Sequence, residues 1–146
     1  MQQIILVIFA LINLILFLKG FAEIRKKNAF GRTDFAAILG IFVWGDTLII
    51  APFWILVSAL AFFFNNWSLF LLSFSVFWVI RSLGEVIYWI QEQFATHHRN
   101  PPHTLYLYKL FQNDAVWFIY QIFWQCIFVF AVLGTLFFGK IFLTTL

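Results

Sequence analysis

The run from Trp67 to Phe94 limits this chain more than any other stretch. It is long and apolar enough to cross a bilayer, yet it carries a base and an acid in Arg81-Ser82-Leu83-Gly84-Glu85. On a helix that spacing puts Arg81 and Glu85 on one face, one turn apart. An ionised side chain within a spanning helix costs about 2.5–3.5 kcal/mol on insertion scales, so such residues turn toward the protein interior and find partners. On a helical wheel Phe70, Phe74, Phe77, Arg81, Glu85, Tyr88 and Glu92 share this face, aromatic at one end and charged at the other. The Arg81–Glu85 pair is therefore the expected centre of function.

The rest of the chain belongs to the same environment. Hydrophobic residues make up 64% of it and charged residues 10%, where a soluble domain carries about 25% charged. The 146 residues allow one all-α domain, a four-span transmembrane helix bundle with spans at about 2–19, 35–64, 67–94 and 114–138. The first apolar run lacks the preceding basic residue and following small-residue site of a cleaved signal peptide, and reads as a retained helix. Arg25, Lys26, Lys27 and Arg32 lie in loop 20–34, and Arg99 and Lys109 in loop 95–113. By the positive-inside rule both loops are cytoplasmic, giving an N-out/C-out protein of a plasma or bacterial inner membrane. These cations form no stripe of the kind that binds nucleic acid. The expected partners are the lipid bilayer and either further copies of the chain or a larger membrane complex.

The second apolar run spans about 30 residues, or about 45 Å as one straight helix, against a hydrocarbon core of about 30 Å. Pro52, which cannot donate to the Leu48 carbonyl, is the expected structural kink. Ala36, Gly40, Thr47, Ala51, Ser58 and Ala61 form a small-residue stripe that would let a neighbouring helix approach closely. Asp46 lies beside the stripe, about 17 Å above the cytoplasmic end of such a helix and near the bilayer midplane. Asn65-Asn66 makes so short a turn that the second and third spans are expected to be antiparallel neighbours.

Asn113 or Asp114 can cap the fourth span, which is expected to stop before Gly139. Asp114, Trp117, Gln121, Trp124 and Gln125 share one of its faces. Before it, the aromatic segment from His103 to Phe111 reads as a short piece lying along the interface.

Asn13, Asp46, Arg81, Glu85, Gln121 and Gln125 thus supply polar groups from all four spans, with Trp117 and Trp124 beside them. Two acids around one base leave a carboxyl able to hold a proton or meet a cation. That suits binding or passage of a small charged species or a proton through an intramembrane acid–base network. The same groups can serve helix register alone, as in a structural or assembly subunit. A third reading is a lipid-handling enzyme, with Arg81 on an anionic headgroup. Catalysis is the weakest of the three, because no spanning His, activated Ser or multi-carboxylate box is present. No cofactor and no metal are expected: Cys126 is alone, and His97, His98 and His103 lack a spacing that completes a ligand set.

Overall fold

The computed structural model describes residues 1–145. Their regular structure is helical: α1 (Gln2–Arg25), α2 (Thr47–Phe63), α3 (Trp67–Phe94), α4 (Tyr108–Phe111) and α5 (Ala115–Thr144). Short 3-10 turns occur at Asp34–Leu39, Trp44–Asp46 and Pro102–Thr104. Among the described residues, four segments are long and apolar enough to cross a membrane: Gln2–Arg25, Trp44–Phe63, Trp67–Phe94 and Ala115–Thr144. The chain divides into two compact units, Met1–Ser73 with the end of α5 from Thr144, and Phe74–Leu143.

In the first unit α1 packs along α2. Leu6, Asn13, Leu16 and Gly20 form the buried face of α1, and Thr47, Ala51, Trp54, Val57, Ser58 and Ala61 that of α2. The small-residue stripe is thus the contact face of α2 wherever it is helical. The approach is closest at Gly20, where an added Cβ would fall 1.7 Å from the Thr47 Oγ1. Phe9 completes the packing edge-on, with ring centres 5.7 Å from Trp54 and 5.2 Å from Phe70. Phe64 to Asn66 turn the chain between α2 and α3, and the Asn66 Oδ1 caps α3 by accepting the Leu69 N–H at 3.0 Å.

The expected single helix over 35–64 does not form. Its first third folds into a structured loop, and α2 starts only at Thr47. Gly40 takes the left-handed φ of 76° that stops the Asp34–Leu39 turn. Arg32 and Val43 then pair as an antiparallel bridge, with the Thr33 N–H donating to Phe42 O at 2.9 Å and the Trp44 N–H to Gly31 O at 3.0 Å. The Thr33 hydroxyl donates to Ile41 O at 3.1 Å, and the Trp54 indole donates to Leu39 O at 2.9 Å. Carbonyls that helix formation would have satisfied are met by these side chains, which lets Ile41, Ala36 and Leu39 bury. The apolar run therefore fits a bilayer because its start leaves the helix. Pro52 lies within α2, and the helix continues past it.

Two other boundaries shift. α1 runs on to Arg25, past the expected end at 19, and closes where Lys27 adopts φ 64°. α5 continues through Gly139 to Thr144; among the described residues Gly40 is the glycine at positive φ, so Gly139 does not act as a stop. Asn113 does cap this helix, its Oδ1 accepting the Ala115 N–H at 3.0 Å.

The second unit is built on α3 and α5. Ser75, Ser82, Val86, Trp89 and Glu92 are the buried positions of this part of α3. Trp78 stacks on Trp124 with centres 6.3 Å apart, and Trp89 stacks on Tyr120 at 4.7 Å. Gly134 lies against Ser75, where an added Cβ would meet the hydroxyl at 3.1 Å.

Replacing Gly20 by Val forces α1 away from Thr47, an overpacking that costs about 1–3 kcal/mol. A thermal melt of the purified protein in detergent should show a clearly lower midpoint; an unchanged midpoint would refute the close approach.

Candidate functional site

Arg81 and Glu85 meet on α3 as their spacing requires. The Arg81 Nη2 lies 3.5 Å from the Glu85 Oε1, and the two side chains keep 26% and 16% of their exposure. The face of α3 that packs deepest runs through Ser75, Ser82, Val86 and Trp89, one position round the wheel from Arg81, Glu85 and Tyr88. The ion pair accordingly flanks the packed seam and is half-buried. Ser82 faces inward and bonds its own helix, its hydroxyl donating to Trp78 O. Such back-bonding satisfies a hydroxyl without a partner helix.

Two turns beyond Glu85 toward the end of α3, Glu92 is 4% exposed. Its carboxylate accepts the backbone N–H groups of Arg99 and Asn100, each at 3.2 Å, and its carbonyl accepts the His98 Nδ1–H at 2.9 Å. Asn100 adds two further ties. Its Nδ2 donates to the Tyr88 hydroxyl, and its carbonyl accepts the Trp117 Nε1–H at 3.0 Å. His98 packs against Trp117 with ring centres 4.3 Å apart and planes tilted by 38°. Around this knot Trp89, Val116 and Trp117 form an apolar core, joined by Tyr88, Leu105, Leu107, Tyr120 and Trp124. A carboxylate taking two backbone donors holds the loop through charge-assisted hydrogen bonds, the strong class. Glu92 is thus the anchor of loop 95–113; α3 itself has already ended at Phe94, and Asn100-Pro101-Pro102, expected to stop a helix, instead leads into the 3-10 turn that opens at Pro102.

The remaining sequence-predicted residues divide between the two units. Gln121 accepts from the Gln93 Nε2 at 2.7 Å, and the same Nε2 lies 3.1 Å from Trp89 O. Gln125 is half-buried one turn along α5, Trp117 is buried on Asn100, and Trp124 stacks on Trp78. These lie with Arg81 and Glu85 in the second unit.

Asn13 and Asp46 belong to the first. Asn13 is fully buried and donates its Nδ2 to Phe9 O at 2.9 Å, while its Oδ1 is buried with no hydrogen-bond partner. Asp46 departs from its expected position. It sits at the N-terminal boundary of α2, not eleven residues up a helix, and its Oδ2 accepts the Phe42 and Val43 N–H groups at 2.9 and 3.3 Å. A carboxylate there closes the loop and complements the positive end of the helix.

Sequence reasoning missed Glu92, Gln93, Asn100 and Trp78 as working residues. Glu92 was visible only as the last member of the α3 stripe, and Asn100 only as a helix stop. Their partners are supplied by the fold. Among the described residues, no group of three or more His, Cys, Asp or Glu side chains is placed to hold a metal ion. Cys126 is exposed on α5 and takes part in no disulfide.

Four long apolar helices with ion-pairing and amide groups on two of them are features of an integral membrane protein. No family model, curated protein or solved structure matches the chain.

Glu92→Ala leaves the Arg99 and Asn100 N–H groups without their acceptor, at a cost of about 1–3 kcal/mol. Amide exchange at residues 99 and 100 should accelerate strongly, with α1 and α2 unaffected; unchanged exchange would show that the carboxylate does not hold the loop. Truncating Gln93 and Gln121 singly and together to Ala should give a coupling of about 0.5–2 kcal/mol in a double-mutant cycle of thermal stability. Strict additivity would mean that the amide pair contributes nothing.

Proposed function

We propose that this chain is a non-enzymatic membrane protein that binds or passes a small charged species, a proton being the simplest, along the polar face of α3. The observation that carries this reading is the Arg81–Glu85 pair, 3.5 Å apart and only half-buried within a spanning segment. The guanidinium stays charged in such a segment, and a carboxylate beside it is a group that can exchange a proton or meet a cation. In this reading loops 20–34 and 95–113 face the cytoplasm, both termini face outward, and the segment around α4 rests at the interface with Tyr106 and Leu110 exposed.

A second reading, a structural or assembly subunit, is favoured by the Gln93–Gln121 bond and by the loop ties of Glu92, which leave those groups satisfied within the molecule. Proton flux separates the two. Liposomes holding the protein and a trapped pH-sensitive dye, driven by a potassium diffusion potential, should acidify with wild-type protein and at least tenfold more slowly with Glu85→Gln. A silent wild type, or a Glu85→Gln variant as fast as wild type, removes the transport reading and leaves the assembly subunit.

A further inference from the structure

The loop between α1 and α2 is firmly built but does not hide its large apolar side chains. Its interior is closed by the Thr33–Ile41 and Trp54–Leu39 hydrogen bonds and by the Asp46 cap, and Ile41 is fully buried. Its outer surface nevertheless presents Phe30 at 89%, Phe35 at 65% and Ile38 at 72% exposure. A loop with so many fixed hydrogen bonds is not holding these side chains out for want of packing partners of its own. Large apolar side chains held out in this way suit an apolar medium.

Cations flank this loop, along the last two turns of α1 and just after it. Lys26 is spent on Glu23 at 2.9 Å and Arg32 on Asp34 at 3.3 Å. Lys19, Arg25 and Lys27 make no salt bridge among the described residues. Two of them are held by aromatic rings instead. The Lys19 ammonium lies 5.1 Å from the Trp44 ring centre and 5.6 Å from that of Phe35, and the Arg25 guanidinium lies 4.8 Å from Phe21. Contacts within about 6 Å of a ring centre attract a cation without neutralising its charge. Glu23 is shared between Lys26 and, through space, Lys19, so the segment from Lys19 to Asp34, with five cations and two acids, keeps a net charge of +3 next to side chains that seek hydrocarbon.

We infer that this loop is a binding surface for anionic phospholipid, with Lys19, Arg25 and Lys27 on the headgroup phosphate and Phe30, Phe35 and Ile38 in the acyl boundary beneath it. A soluble anion would satisfy the charges and leave the three apolar side chains in water. A zwitterionic lipid would cover the apolar side chains, but its own ammonium offsets its phosphate and leaves the net positive charge of the surface unmet. An anionic lipid meets both requirements at once. The surface is independent of the α3 ion pair, so it stands whether or not the protein carries a proton.

The test uses the full chain in bilayers, comparing motional restriction of spin-labelled phosphatidylglycerol with that of spin-labelled phosphatidylcholine. Wild-type protein should favour the anionic lipid several-fold. The preference should fall to near parity in Lys19→Gln/Arg25→Gln/Lys27→Gln, and about halfway in Arg25→Gln/Lys27→Gln, which spares the Lys19 ring contacts and so protects the fold. The triple variant Arg99→Gln/Lys109→Gln/Lys140→Gln removes the same formal charge elsewhere and should keep the wild-type preference. Inorganic phosphate at constant ionic strength should not displace the lipid. Equal association of both lipids with wild type overturns the inference. So does equal loss in the control triple, which would mean net charge alone, and so does displacement by phosphate, which would mean a soluble-anion site.

Discussion

A backbone carbonyl or amide left without a partner in hydrocarbon costs several kcal/mol, and much of this molecule follows from how that cost is avoided. Within α1, α2, α3 and α5 the helix itself answers it. Between α1 and α2 the chain leaves the helix while still among apolar side chains, and other groups take over. Trp54 serves Leu39 O, Thr33 serves Ile41 O, and Asp46 receives the Phe42 and Val43 N–H groups. Each of these side chains is buried or half-buried, so each exchange is made away from bulk water, where a hydrogen bond is hardest to replace.

The same demand shapes the other non-helical segment. Glu92 closes loop 95–113 by accepting two successive backbone N–H groups, and Asn100 carries the tie across to Trp117. In both loops a carboxylate at a helix end organises backbone that would otherwise be strained or wet. Asp46 does so at the start of α2, and Glu92 near the end of α3. Asp46, expected in the charge network, and Glu92, which was not, both do visibly architectural work. Glu85 differs from them: it faces Arg81 along the helix surface and keeps part of its exposure.

Much of the fold was legible in the order of residues. Apolar length predicts each of the four long helices, the i to i+4 spacing predicts the Arg81–Glu85 contact, and the small residues Thr47, Ala51, Ser58 and Ala61 predict the buried face of α2. The break before Trp44 was not legible. Nothing in Phe35 to Val43 is polar or proline, and hydropathy treats it as continuous with α2. Only Gly40 hints at a stop, and glycine is frequent within spanning helices too. The depth of Asp46 was misplaced for that reason alone. Gln121 was recognised as a polar group on α5, but its partner Gln93 lies 28 residues away, beyond the reach of any local pattern.

The sequence by itself determined what this protein is made of: long apolar helices, and an acid and a base one turn apart on the third. Those properties depend on side-chain transfer energies and on helical periodicity, both local quantities. Tertiary structure alone decided which carbonyl Trp54 would serve, that Glu92 would hold a loop, and that Phe30, Phe35 and Ile38 would stay exposed beside cations. These depend on groups far apart in the chain meeting at hydrogen-bond or ring-contact distance. Only chain folding creates such proximity, and the identity of the residues between the partners does not reveal it.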